Sequence, residues 1–334
     1  MKKVVKFGGS SLASAEQFKK VGAIIRADGT RRYVVPSAPG KRFSEDTKVT
    51  DLLYACYRAA NEEIFQKVLA EIKSRYQEII DGLELSLSLE EDFKILEENF
   101  RQQIGEEYAA SRGEYLNGKI MADYLGFTFV DPAEMIRFDG NGQFDAEITE
   151  ALVAKRLKDV TEAVVPGFYG AKENGEIKTF SRGGSDITGS IIAGALDVEL
   201  YENWTDVSGV MVTDPRIINN PKSIDTITYR ELRELSYMGA TVLHEDAIFP
   251  VRKAGIPINI KNTNAPEEDG TMIVEDTCKK PPYTITGIAG KKGFCSLFIE
   301  KSMMIRKSAL DAKFCRCWRN REFPLNMYLP GLTL

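Results

Sequence analysis

A chain of 334 residues, 43% hydrophobic and 28% charged, carries ample material for a buried core and fits roughly two globular domains. Its net charge of -5 argues against nucleic-acid or acidic-membrane partners, since both reward clustered Lys and Arg. No apolar run reaches the roughly 18 residues of a membrane helix, no cleavable leader opens the chain, and the five cysteines form no Cys-x-x-Cys pair, so the expected setting is a reducing cytoplasm.

Lys3-Val4-Val5-Lys6-Phe7 reads as an apolar strand that delivers Lys6 into the turn Gly8-Gly9-Ser10-Ser11. Paired glycines let a backbone approach a ligand and aim N–H groups at an anion, and the nearby lysine completes a seat for phosphate. No Gly-x-x-x-x-Gly-Lys-Ser/Thr pattern occurs, which excludes the ordinary phosphate loop and leaves a plain glycine turn as the alternative. Ser14 and Gln17 resemble a capping box ahead of Phe18, Val21, Ile24 and Ile25, predicting a helix. Tyr33-Val34-Val35 predicts a second strand, ending in Pro36-Ser37-Ala38-Pro39-Gly40. Strand, helix, strand opens an α/β sheet with Gly8, Gly9 and Ser37 on the carboxyl edge, where ligands gather.

A helical stretch is expected from about Thr50 to Gly126, with Ile64, Phe65, Val68, Leu69 and Ile72 at three and four spacing. Thr50 suits an N-cap and Glu114 the first turn of a following helix, and those local roles alone would explain both. Phe127 to Val130 and Ala163 to Val165 predict strands, the latter followed by Pro166-Gly167-Phe168. Ser181-Arg182-Gly183-Gly184-Ser185-Asp186 leads into a helix marked by Ile187 and Ile191, whose free N–H groups would face an anion while Arg182 offers a fork for a carboxylate. Glu199 to Glu202 predicts a strand, and two Asp-containing turns follow. They suit a nucleotide pocket, with Asp206 for base or ribose and Arg216 for phosphate, although turn chemistry explains them equally. Helices near Tyr229 to Leu235 and Ala247 to Ala254, a strand at Ile256 to Ile260 and a boundary near Thr277 to Pro282 complete the pattern. The single histidine, His244, lacks the second ligand of a His-Glu-x-x-His zinc site because Ile248 stands there, so chemistry falls to Lys, Arg, Asp, Glu and backbone.

Lys6-Phe7-Gly8-Gly9-Ser10-Ser11, Arg182-Gly183-Gly184-Ser185-Asp186, Trp204-Thr205-Asp206-Val207-Ser208-Gly209-Val210 and Thr213-Asp214-Pro215-Arg216, in that order, closely resemble motifs of the aspartokinases in the amino-acid kinase superfamily. The resemblance implies a three-layer αβα sandwich over 1–278, binding L-aspartate in its N-terminal part and MgATP in its C-terminal part, then a partial ACT-like α+β regulatory segment over 279–334. It implies transfer of the ATP γ-phosphoryl group to the aspartate β-carboxylate, the entry to lysine, threonine and methionine synthesis. By the same resemblance Lys6 and Asp186 are catalytic, Asp186 holding Lys6 in place. Lys6, Phe7, Gly8, Gly9, Thr205, Asp206, Met211 and Arg216 bind ATP, with Gly8 and Gly9 donating backbone N–H bonds. Ser37, Thr50, Glu114, Arg182 and Ser185 bind aspartate, Glu114 facing its α-ammonium and Arg182 its α-carboxylate. Mg2+ rides on the ATP phosphates, and the family dimerises through ACT domains. A β-carboxylate with a pKa of about 3.9 is already ionised at neutral pH and needs no general base.

Two departures stand out. Thr241, in Gly239-Ala240-Thr241-Val242-Leu243-His244, replaces a lysine that many family members use against ATP. It keeps open a catalytically silent nucleotide or amino-acid sensor, or a kinase of a related carboxylate. From Ile305 onward the ACT-like pattern fails, and a back-translation of Ile305 to Leu334 in a shifted frame restores ACT-like sequence, which points to a frameshift. Resequencing the coding DNA is expected to show the shift; an intact frame to Leu334 overturns this expectation.

Overall fold

The computed structural model of the chain describes residues 2–181, 183–237, 243, 245–277 and 284–290. Its strands are β1 (Lys3–Phe7), β2 (Arg31–Pro36), β3 (Thr128–Phe129), β4 (Arg137–Phe138), β5 (Ala163–Val164), β6 (Tyr169–Lys172), β7 (Ile177–Thr179), β8 (Leu200–Thr205), β9 (Thr226–Thr228), β10 (Ile258–Asn262) and β11 (Thr271–Val274). Its α-helices are α1 (Ala15–Arg26), α2 (Val49–Tyr57), α3 (Glu62–Gly82), α4 (Glu90–Arg101), α5 (Glu106–Leu125), α6 (Ala146–Leu157), α7 (Gly184–Ala195), α8 (Tyr229–Tyr237) and α9 (Glu245–Lys253).

Eight of these strands form one sheet, ordered β3-β5-β2-β1-β8-β10-β11-β9. Neighbours are parallel from β3 through β10, and β11 runs antiparallel to β10 with β9 alongside it. A parallel sheet has both faces covered, so its central strands are apolar on both sides. In β1, Val5 and Phe7 enter one core with α1, α2, α3 and α5, while Val4 enters the other with α6, α7, α8 and α9. The result is the αβα sandwich expected over this part of the chain. β4, β6 and β7 form a separate small sheet. No helix among the described residues is long and apolar enough to cross a membrane.

The expected helical run from Thr50 to Gly126 is four helices, broken at 58–61, 83–89 and 102–105. Asn61 caps α3 by accepting from the Ile64 amide, a start signal hidden inside a charge-rich stretch. Thr50 is not an N-cap: Lys48 occupies that position, and Thr50 lies in the first turn of α2. Nor is Glu114 a first-turn residue, because α5 begins at Glu106 and places it at mid-helix. Of the expected ACT-like segment only 284–290 is described, and it forms no strand: Thr286 Oγ1 donates to Glu231 at 2.7 Å and the Ile288 amide to the Val212 carbonyl at 2.7 Å. The rest of that segment, Thr241 and the expected boundary at 278 lie outside the described residues.

The loop between β2 and α2 is anchored from beneath. Arg75 of α3, 2% exposed, ion-pairs with Asp46 at 3.0 Å and donates to the carbonyls of Thr47 at 3.0 Å and Gly40 at 2.9 Å. Although burial alone would raise the Asp46 carboxyl, hydrogen bonds from Arg42 and the Arg75 charge hold it down to about 2. A depressed carboxylate contributes stability that is present above its ordinary pKa and lost as pH falls through the folded value. Arg75→Ala is therefore expected to cost about 3 kcal/mol in urea unfolding at pH 7, the scale of a broken buried pair. The variant should also lose less stability than the parent between about pH 4 and pH 2.

Candidate active site

The carboxyl ends of β1, β2 and β8 lie side by side, since Phe7 is in register with both Pro36 and Trp204. The segments that leave these three strands therefore meet at one edge. Gly8, after β1, donates its N–H to the Trp204 carbonyl at 3.0 Å and is thus spent on the sheet. Gly9 and Ser10 open the short 3-10 turn Gly9–Leu12, so their N–H groups have no partner within it. Of the expected glycine pair, Gly9 rather than Gly8 has a donor to offer. Phe7 presents only backbone here, its fully buried ring stacking on Trp204 at 5.9 Å.

The loop after β2 closes on the glycine turn. Gly40 donates to the Gly9 carbonyl at 2.8 Å, and a Cβ on Gly40 would meet the Gly9 carbonyl carbon at 2.6 Å, so this approach requires glycine. Ser37 is held at both ends: its amide donates to the Phe7 carbonyl at 3.1 Å, and its carbonyl accepts from Asn117 Nδ2 at 2.6 Å. Gly113 lets α5 pack against this loop, for a Cβ there would lie 2.8 Å from the Ala38 methyl and 3.7 Å from Thr50 Oγ1. One residue on, Glu114 is buried with Oε2 unpartnered, and one helical turn further Asn117 keeps Oδ1 unpartnered. Burial pushes the Glu114 carboxyl up to about 8, against the pull of the Ala38 amide, Lys6 and Arg112.

Lys6 projects from β1 toward α7 and ion-pairs with Asp186 Oδ1 at 2.7 Å, the side chains being 10% and 18% exposed. Its ammonium lies 3.6 Å from where a Gly8 Cβ would stand. The start of α7 is fitted to the loop after β5. A Cβ on Gly167 would meet Ser185 Oγ at 2.5 Å, and one on Gly184 would meet the Phe168 ring at 2.5 Å. Phe168 itself has φ of 83°, a left-handed conformation that costs a bulky residue about 1–3 kcal/mol, and such strain clusters at functional sites. Its amide is taken by Thr188 Oγ1 at 3.0 Å.

The structure thus gathers Lys6, Gly9, Ser37, Thr50, Glu114, Ser185 and Asp186 around the ends of β1 and β2. Thr205 ends β8 beside them, its hydroxyl bonding Asp206 at 3.1 Å. Met211 and Arg216 belong to the loop after β8: Met211 bridges to Ser223, and Arg216, exposed, is engaged by Asp214 at 2.6 Å. Arg182 lies outside the described residues. Asn117, Phe168 and Asn203 are not among the site residues expected from sequence; the last donates to Asp186 Oδ1 at 2.9 Å. The adjacent polar pair Glu202-Asn203 inside a buried strand was the available signal for Asn203.

Residues 1–262 match the amino acid kinase family. The chain is 43% identical over 325 residues to aspartokinase 3 of Bacillus subtilis, covering 91% of this chain and 70% of that protein. Among solved structures, aspartate kinase of Clostridium acetobutylicum matches with a TM-score of 0.80 at 51% identity, over 86% of this chain and 66% of that one. Aspartokinase III of E. coli, in complex with aspartate and ADP, matches with a TM-score of 0.74 at 26% identity, over 83% and 65%. The chain therefore spans roughly two thirds of the length of these relatives. A charged pair set at the carboxyl edge of this sandwich, together with those likenesses, establishes that the chain belongs to the aspartokinases of the amino acid kinase family.

Proposed function

We propose that the chain is an aspartate kinase, transferring the γ-phosphoryl group of ATP to the β-carboxylate of L-aspartate to give 4-phospho-L-aspartate and ADP. The observation that carries this is Glu114, a buried carboxyl with an unpartnered oxygen, within the field of the Lys6–Asp186 pair. A buried acceptor without a donor is costly, and the α-ammonium of a free amino acid is the donor that matches it. We assign Ser37, Thr50 and Ser185 to the aspartate as well, and Arg182 to its α-carboxylate. Lys6, Gly9, Thr205, Asp206, Met211 and Arg216 serve MgATP, while Phe7 and Gly8, whose carbonyl and N–H are taken by Ser37 and Trp204, only shape the turn.

In the reaction an oxygen of the β-carboxylate attacks the γ-phosphorus in line. The bond from that phosphorus to the β,γ-bridging oxygen breaks, and ADP leaves with the electron pair. No proton moves, so the absence of a histidine from the assigned site is no obstacle. The difficulty is anion meeting anion. The Lys6 ammonium and the N–H groups of Gly9 and Ser10 oppose it with fixed positive charge, which needs no reorganisation as the phosphoryl group passes. We assign Mg2+ to the ATP phosphates, where it would neutralise further charge.

Trapping the acyl phosphate with hydroxylamine tests this. Aspartyl hydroxamate should form with aspartate and MgATP, and Lys6→Ala should lower its rate at least about a hundredfold, the scale of losing a positioned cation. Tight ATP binding without aspartate-dependent turnover would instead favour the sensor, and turnover of N-acetylglutamate alone another kinase of the superfamily.

Glu114 makes a pH prediction. In the free chain its carboxyl holds a proton up to about pH 8, while pairing with an ammonium requires the carboxylate. Aspartate binding therefore releases a proton below that pH. The KM for aspartate should fall as pH rises from 6 to 8, by at most about tenfold per unit, and level off above. Glu114→Gln should raise the aspartate KM by about ten- to a hundredfold, leave the ATP KM within about twofold, and flatten this dependence. Equal effects on both substrates would remove Glu114 from the aspartate site.

A further inference from the structure

We propose that Asn203 is a positioning residue for the phosphoryl transfer, its side-chain amide fixing the Asp186 carboxylate so that Lys6 stays presented to the transferring group. The inference rests on the aspartate kinase assignment above and adds a residue to it.

Asn203 is the Cα partner of Lys6 across the β1–β8 ladder, so the two side chains leave neighbouring strands from the same face of the sheet. Both end on one atom: Asp186 Oδ1 receives Lys6 Nζ at 2.7 Å and Asn203 Nδ2 at 2.9 Å. An ionised carboxylate only accepts, so the nitrogen of the Asn203 amide must be the atom that faces it, and the orientation of the amide is determined. Two residues earlier on the same face, the Tyr201 hydroxyl donates to the main-chain carbonyl of Asp186 at 3.1 Å. β8 thus grips Asp186 by side chain and by backbone.

Asp186 needs that grip. It lies in the first turn of α7, shortly after Gly183, whose φ is 57°, and Gly184, so neither of these N-terminal neighbours has a side chain to orient it. A carboxylate tied to Lys6 alone would follow the ammonium as it shifts toward a phosphoryl group, and charge would be withdrawn from the transfer. With Asn203 occupying the same oxygen, Asp186 remains in place while the other donors of Lys6 are free to turn outward. The residue type fits this task closely. Asn203 is 4% exposed, so a lysine or arginine there would bury a second cation and compete for Asp186. An aspartate would compete for Lys6, and an aliphatic residue would leave the carboxylate one donor short. In Leu200-Tyr201-Glu202-Asn203-Trp204 two polar residues break the apolar rule for a central strand: Glu202 is accounted for by its ion pairs with Lys3 and Arg31, and Asn203 by its bond to Asp186.

The test compares Asn203→Ala with Asn203→Leu, which keeps the branched shape of asparagine, is larger, and has no donor. If the hydrogen bond is what matters, both variants lose about tenfold in kcat, the scale of one bond to a charged group. The KM values for aspartate and ATP should stay within about twofold, with both variants folded at the assay temperature. A packing role predicts that Asn203→Leu restores kcat, and that result overturns the inference while leaving the aspartate kinase assignment intact. A kcat that falls only through unfolding at the assay temperature, or a loss expressed in KM, overturns it likewise. Absence of aspartyl hydroxamate with the parent chain overturns the assignment itself, and Asn203's role with it.

Discussion

A lysine in the middle of a strand buried on both faces is the constraint on which the rest of the structure depends. Lys6 is 8% exposed, and a cation removed from water needs an anion and further hydrogen bonds nearby. That anion arrives from 180 positions later in the chain, on the first turn of α7. To bring it there, α7 must cover the same face of the sheet that Lys6 points to, and β8, which follows α7, must lie against β1. Both hold: β8 pairs with β1 residue for residue from Leu200 to Trp204, and the α7 residues Ile187 and Ile191 pack in the core that Val4 enters. The ion pair and the strand order are one arrangement seen at two scales.

The same arrangement collects ligand-facing groups at the carboxyl edge without any of them being near another in sequence. Backbone approaches do much of this. Gly40 against Gly9, Gly113 against Ala38 and Gly167 against Ser185 each bring two segments closer than a Cβ would allow. The glycines of the site are thus of two kinds. Gly9 leaves an N–H free at a turn, while Gly40, Gly113 and Gly167 are spacers of zero size that set the width of the cleft.

How far this could be seen in the sequence depended on the range of the interaction. β1, α1, β2, α7 and β10 were legible because their signals are local: an apolar run, the Ser14 cap accepting from Gln17, a period of three and four. The small sheet of β4, β6 and β7 was not, since Arg137–Phe138, Tyr169–Lys172 and Ile177–Thr179 lack the apolar run that marks the equally short β3 and β5. Capping propensity alone reads Thr50 as an N-cap and Glu114 as a first-turn acid, but the helices begin elsewhere and tertiary contacts decide both positions. Asn117 and Asn203 are harder cases. Each matters through a register, Asn117 against the Ser37 carbonyl and Asn203 beside Lys6, and no spacing along the chain encodes which residues a sheet will set side by side.

The site also holds free energy that the rest of the fold must offset. Glu114 and Asn117 each bury an oxygen without a partner, and Phe168 sits at φ of 83°. An orphaned buried acceptor costs about 1–3 kcal/mol and the strained residue a similar amount, a large share of the usual 5–15 kcal/mol of net stability. Two apolar layers on either side of one sheet can carry such a load; a single small core could not. The costs are not defects of packing, for they fall at the same edge as the unpaired N–H groups of Gly9 and Ser10. Donors without acceptors and acceptors without donors thus both occur near the carboxyl ends of β1 and β2.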